Sequence, residues 1–215
     1  MEFCVKVLIA YLLGSIVGSL VVGRLWGGID IRKLGSGNAG GTNALRTQGA
    51  AFAVWVFLID IAKGWVAAAL LPGLALPGIP PSSAALAAWL PPACAFAAIL
   101  GHVFPVWHGF RGGKGVATLV GAFAGIDLLL LIPLFLSWLA VVTVSGFVGL
   151  ASITAAFAIP VYLVLRDGAV LTPVLGFALA CAVLVAFTHR ANVRRMRAGT
   201  EPRARRLWLF GRGRA

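Results

Sequence analysis

Apolar runs of bilayer length dominate this chain. Residues 3–23, 51–72 and 83–106 each come close to the ~20 residues that a helix needs to cross the hydrocarbon core. In lipid every backbone N–H and C=O must be satisfied internally, which leaves helices or a closed barrel. Barrel strands alternate apolar and polar side chains, and these runs do not alternate, which argues against a barrel. Only 11% of the residues are charged and 60% are hydrophobic, whereas a soluble domain carries about 25% charged residues. The expected fold class is therefore all-α, a polytopic integral membrane helical bundle. Residues 1–189 are read as one transmembrane domain and residues 190–215 as a basic cytoplasmic tail. The first 23 residues lack the basic leader and small-residue cleavage site of a signal peptide, so they are read as a retained span.

The charges orient the bundle. The connection 24–50 carries Arg24, Arg32, Lys33 and Arg46 against Asp30, which places it in the cytoplasm. The Pro-rich, uncharged residues 73–82 then lie outside, and 107–115, with Arg111 and Lys114, lie inside. Nine arginines and a single acid, Glu201, crowd residues 190–215. Beside a membrane helix such a tail is retained in the cytoplasm against anionic lipid. It offers only Trp208 and Phe210 for base stacking, so no nucleic-acid partner is expected. Residues 116–188 must begin and end inside, and they cross an even number of times. Two crossings would use ~40 residues and leave about thirty mostly apolar ones over. Four fit, at 116–126, 128–144, 147–165 and 170–188, with breaks at Asp127, Ser145-Gly146 and 166–168. Seven transmembrane helices, N-terminus out and C-terminus cytoplasmic, are the expectation, with five as the fallback.

Three polar stretches interrupt the apolar background. Gly35, Ser36, Gly37, Asn38, Gly40, Gly41, Thr42, Asn43 and Arg46 form the first. Glycines let a backbone turn its N–H groups onto an anion, hydroxyls and amides add donors, and arginine grips phosphate through two parallel hydrogen bonds. The bland alternative is a loop with a helix N-cap at Ser36 or Thr42. The second is Gly112, Gly113, Lys114 and Gly115 before an apolar helix, an anion site at a helix N-terminus with Lys114 as point charge. It is not a nucleotide-binding P-loop, because Gly115 stands where a magnesium-binding hydroxyl belongs. No nucleotide, metal or other cofactor is expected. The third joins Ser145-Gly146 to His189, Asn192, Arg195 and Glu201. His189, ending the last span, suits acid–base work, phosphate donation or completion of a helix C-terminus. Glu201 suits a structural partner for the neighbouring arginines.

Further candidates sit within spans. Asp60 and Lys63 lie one helical turn apart and, being charged in lipid, are expected to face inward and pair. The alternative is support of the phosphate site. His102 is a base or a structural residue, and His108, beside Trp107, an interfacial one. Cys4, Cys94 and Cys181 are odd in number and lie in apolar stretches, so neither a disulfide framework nor a metal site is read from them. With the topology above, every polar motif falls on the cytoplasmic face. A transporter for glycerol phosphate or a related organophosphate is the competing class, but its polar groups are expected near the midplane. A serine hydrolase reading fails because Leu34-Gly35-Ser36-Gly37 is not the nucleophile motif.

Taken together, these residues resemble the bacterial membrane glycerol-3-phosphate acyltransferase family that uses acyl phosphate as donor, the PlsY family. The resemblance rests on Gly35 to Arg46, Asp60 with Lys63-Gly64, Gly101-His102, Phe104-Pro105, Gly112 to Thr118, Ser145-Gly146, Leu150 to Ser152, and His189 through Glu201. Relative to that pattern the chain has Phe147 in place of a tyrosine and Gly149 in place of a serine, and neither is given a polar role. The resemblance implies transfer of a fatty acyl group from a long-chain acyl phosphate to the 1-hydroxyl of sn-glycerol 3-phosphate, the first acylation of phospholipid synthesis. The products are lysophosphatidic acid and phosphate. It also implies a multi-pass protein of the bacterial inner membrane, a site facing the cytoplasm, no cofactor, membrane lipid as surroundings, and a monomer. Acyl phosphate is already activated, so direct attack needs positioning and charge stabilisation from the protein. Ser36, His189 and Asn192 are the catalytic candidates. Asn38, Gly40, Gly41, Thr42, Arg46, Gly112, Gly113, Lys114, Gly115 and Ser145 are the candidates for binding substrate phosphate. His102, Asp60 and Lys63 complete the set.

Overall fold

Helices α1 (Glu2–Gly14) and α2 (Gly18–Leu25) meet at a 45° bend, so the first apolar run is a broken helix and not the continuous one expected over 3–23. The break leaves the last carbonyls of α1 without intrahelical donors, and buried carbonyls need a partner. That partner comes from the second apolar run, described below. In the computed structural model, which describes residues 1–211, every regular element is helical and no strand occurs among those residues. A 3-10 turn (Ile31–Lys33) and α3 (Gly41–Gln48) follow. Then α4 (Ala50–Trp65) continues through a π turn (Val66–Leu70) and a 3-10 turn (Leu71–Gly73) as one span of 24 residues.

The third apolar run starts later than its composition suggests. A single turn, α5 (Ala84–Ala87), precedes α6 (Leu90–Val103), which carries prolines in its first turn. Pro91 and Pro92 suit a helix start but bias the residues before them away from helix. Next come α7 (Val116–Ile126), α8 (Leu131–Ser145), α9 (Val148–Asp167), α10 (Pro173–Thr188) and α11 (Arg190–Arg197). The hydroxyl of Thr172 caps α10 by accepting from the Leu175 N–H at 3.1 Å. Helices α10 and α11 meet at a 50° bend. Four segments are long and apolar enough to cross a membrane, six if each bent pair is one span, and apolar α7 is shorter, at 11 residues. The expected tail thus begins as a helix, and residues 212–215 of it lie outside those described.

The chain divides into two compact units, Met1–Asp127 and the remainder from Leu128. In the first, α1 packs on α6 and α4 on α7. Both crossings are set by small residues: a Cβ at Gly14 would strike the Ala98 carbonyl, and one at Gly121 the Ile61 carbonyl. Without a hydrophobic drive between helices in lipid, such close backbone approach is what holds a pair together. At one end of this unit, Lys6 is buried between Glu2 Oε1 and the Pro72 carbonyl, both 2.7 Å from its Nζ. At the other, Val22, Ile31, Ala44, Phe52, Ala53 and Val56 form a small core beneath the first polar loop.

In the second unit α8 and α9 form a hairpin through Gly146, whose φ of 75° is a left-handed value that glycine adopts without strain. Helix α10 packs along α9. Ile132, Phe135, Leu136 and Leu139 of α8 are exposed, as suits a face turned to lipid.

Candidate functional site

The first polar loop is built around Asn43, which sequence reading treated only as one more donor. Its side chain is buried; Nδ2 lies within 3.1 Å of the carbonyls of Ile31, Leu34 and Asn38, and Oδ1 accepts from the Ser36 N–H at 3.0 Å. One amide thereby gathers four points of the loop. The Gly37 N–H donates to Leu34 O, so the amides of Ser36 and Gly37 are turned inward and used. What the loop offers outward are side chains. Ser36 and Arg46 are exposed, Asn38 and Thr42 half-buried. Neither Ser36 nor Thr42 is the N-cap of α3; that position is Gly40. The first-turn N–H groups of Gly41 and Thr42 point out of the helix start, as first-turn amides do, and Gly41 is buried where a Cβ would meet the Phe57 ring. Ser19 Oγ donates to Ala39 O at 2.7 Å and fastens the loop to α2.

Arg32 joins this loop to the second. Its Nε and Nη2 hold Asp30 at 2.9 and 2.8 Å, while Nη1 donates to His108 O at 3.2 Å and Arg111 O at 3.4 Å. The Arg32 guanidinium holds the Asp30 carboxyl below the usual carboxylate range. Within the second loop, Gly112 N–H donates to Val103 O at 3.2 Å and Gly113 N–H to His102 O at 3.1 Å. These two amides fasten the loop to the end of α6, and a Cβ on Gly113 would run into the His102 ring. The glycines serve close packing, and an anion here would rely on half-buried Lys114 and the start of α7 after Gly115.

Asp60, Lys63 and His102 lie beneath, all buried. Lys63 Nζ donates to Gly14 O at 2.9 Å and Ile16 O at 2.7 Å, the carbonyls left bare by the break between α1 and α2. It also lies 2.9 Å from Asp60 Oδ1 and 2.9 Å from His102 Nδ1. Asp60 Oδ1 accepts from Gly18 N–H, at the start of α2, at 3.0 Å. His102 Nδ1 lies between the two charges, 2.9 Å from Lys63 Nζ and 3.3 Å from Asp60 Oδ1. The charged pair clamps the break and His102 completes it.

The third group belongs to the second unit. Ser145 Oγ donates to Val141 O at 2.7 Å and accepts from Phe147 N–H at 3.1 Å, closing the turn between α8 and α9. His189 is buried at the bend between α10 and α11, with Nδ1 2.8 Å from Val185 O. A carbonyl only accepts, so Nδ1 carries a proton and donates it to the end of the helix. One contact thus both ends the helix and orients the imidazole. Asn192 packs on Gly149, where a Cβ would stand 2.9 Å from its own. Its Nδ2 donates to Glu201 Oε1 at 2.6 Å, and Arg195 Nε holds the other oxygen at 2.6 Å. The structure therefore gathers the first two stretches and the clamp in one unit, and the third in the other.

A loop of outward hydroxyls, an amide and an arginine suits recognition of a phosphorylated alcohol. A family model described as glycerol-3-phosphate acyltransferase matches residues 4–199. The chain belongs to this family. A glycerol-3-phosphate acyltransferase of Synechococcus sp. (strain JA-2-3B'a(2-13)) is 43% identical over 202 residues, 94% of each chain. That of Thioalkalivibrio sulfidiphilus is 42% identical, over 92% of this chain and 91% of its own. Among solved structures, the chain is similar to PlsY (YgiH), an integral membrane glycerol 3-phosphate acyltransferase, in its glycerol 3-phosphate form. The TM-score is 0.81, with 35% identity over 94% of this chain and 96% of that one. The lysophosphatidic acid form of PlsY gives a TM-score of 0.79 at 34% identity, covering 94% and 95%.

Proposed function

We propose that this acyltransferase moves a fatty acyl group from acyl phosphate to the 1-hydroxyl of sn-glycerol 3-phosphate, giving lysophosphatidic acid and phosphate. The observation that carries the reading is the Asn43-held loop, which turns its backbone inward and offers Ser36, Asn38, Thr42 and Arg46 as side-chain contacts. Support for acceptor and product comes from PlsY, whose two forms are those of glycerol 3-phosphate and lysophosphatidic acid. In this reading the hydroxyl oxygen attacks the acyl carbonyl carbon. The carbon–oxygen bond to phosphate breaks, and phosphate leaves with the electron pair. The hydroxyl proton passes to an oxygen of the departing phosphate, with His189 Nε2 as the alternative acceptor. Arg46 and Lys114 hold phosphate charge, Asn192 positions, and the chain's contribution is mainly orientation and electrostatics. Ser36 is a contact and not a nucleophile, so a covalent acyl group trapped on it would overturn the scheme. The enzyme is placed in the bacterial inner membrane as a monomer with all seven apolar segments crossing, and its site and C-terminus in the cytoplasm.

The test uses purified protein in detergent with labelled glycerol 3-phosphate, offering palmitoyl phosphate and palmitoyl-CoA separately, without added metal. Lysophosphatidic acid from palmitoyl phosphate alone is expected. Product from palmitoyl-CoA alone would discard the donor, and none from either in folded protein would discard the acyltransferase reading.

A further inference from the structure

The family match ends at residue 199, yet residues 201–210 beyond it are folded onto the second unit. Residues 201–208 return over the turn between α8 and α9: Ala204 N–H donates to Gly146 O at 2.8 Å, and Trp208 Nε1 to Val144 O at 3.1 Å. The Arg203 guanidinium lies 4.6 Å from the Phe147 ring centroid and 4.0 Å from that of Trp208, a cation between two aromatic faces. This strap is fastened to the end of two helices of membrane length, so it is held at the boundary between bilayer and water. Its outer side is unlike ordinary protein surface. Leu207, Leu209 and Phe210 are 41%, 56% and 70% exposed, and Arg205 and Arg206 beside them are exposed too. From residue 202 onward the sequence has no acid.

We infer that residues 203–210 form an interfacial anchor that binds the anionic phospholipid surface and braces the turn carrying Ser145. Apolar side chains at headgroup depth enter the acyl boundary while flanking arginines reach lipid phosphates. Trp208 sits in the belt where indoles concentrate. Each arginine held near an anionic leaflet adds roughly fivefold to such docking. The charge excludes a zwitterionic surface as the preferred partner, and the three uncovered apolar side chains exclude a site for free phosphate alone. The anchor is hydrogen-bonded to the carbonyls on either side of Ser145, so lipid engagement stiffens that turn. The inference rests on the fold of the strap and on neither the acyl donor nor the reaction.

Hydrogen exchange of the full chain in nanodiscs tests it, comparing phosphatidylcholine alone with phosphatidylcholine plus phosphatidylglycerol. The amides of 203–210 are expected to exchange several-fold more slowly with the anionic lipid. Leu209→Ser/Phe210→Ser should abolish that protection, and Arg205→Gln/Arg206→Gln should weaken it in a salt-dependent way. Both variants should keep full activity in neutral detergent. Equal exchange in the two lipids would overturn the anchor. So would equal protection by inorganic phosphate in phosphatidylcholine discs, or protection that appears only with two copies per disc.

Discussion

His189 ends α10 through Nδ1, which donates to the Val185 carbonyl and leaves Nε2 as the nitrogen for the proposed proton transfer. If Nε2 takes the substrate proton, His189→Ala loses about 10²–10⁴-fold in kcat at saturating substrate; a loss of only about tenfold would leave the proton to the phosphate. Asp30 makes a pH-dependent contribution. Its folded pKa is depressed by Arg32, so its stabilisation is present in full above the ordinary value of about 3.9 and is lost as pH falls through the lower folded value. Thermal melts of the wild type and Asp30→Asn should differ at neutral pH and converge in acid; a constant gap would show that Asp30 acts otherwise. Ser36, Thr42 and Arg46 stand out in the sequence because hydroxyl and guanidinium beside glycine suit an anion, and the structure leaves Ser36 and Arg46 exposed. Asn43 does not stand out, since nothing in its chemistry tells an amide that faces substrate from one that organises a loop. Only its burial and four contacts do.

At the scale of elements, long apolar segments were readable and their interruptions less so. The bend at Ser15 to Val17 has a local signal in the flanking Gly14-Ser15 and Gly18-Ser19 pairs, but what satisfies its carbonyls lies far off, in Asp60 and Lys63. Inward pairing of those charges follows from the cost of charge in lipid; that they clamp a helix break does not. Lys63→Met would bare the Gly14 and Ile16 carbonyls and leave the Asp60 carboxylate uncompensated. Removing one partner of a buried pair costs about 3–5 kcal/mol, so unfolding in detergent should move to markedly lower temperature. Asp60→Asn/Lys63→Met should recover part of that loss, and a shift no larger than that of an exposed substitution would dismiss the clamp. The late start of α6 was hidden because the run before Pro91 is apolar without being helical, and the strap because a basic composition says nothing of where it folds.

For the whole molecule, counting crossings by charge and parity fits the candidate spans when each bent pair is one span and α7 crosses as well. With all seven crossing, a reporter fused at the N-terminus should be accessible from outside the cell and one at the C-terminus only from the cytoplasm; both on the same side would mean an even number. Helix α7, at 11 residues, reaches about 16 Å at 1.5 Å per residue. A crossing by α7 would therefore depend on its glycine-lined contact with α4, neighbours making up for length.

The clamp also ties the first three apolar segments to one another. A first segment bent as in the folded protein carries two carbonyls without intrahelical donors, each costing several kcal/mol if left unpaired in lipid. Their ammonium partner lies 49 and 47 residues further along the chain, and the imidazole that completes the cluster comes only with the third segment. The bend is therefore stable in lipid only once Lys63 stands beside it, which makes the opening three segments one cooperative unit.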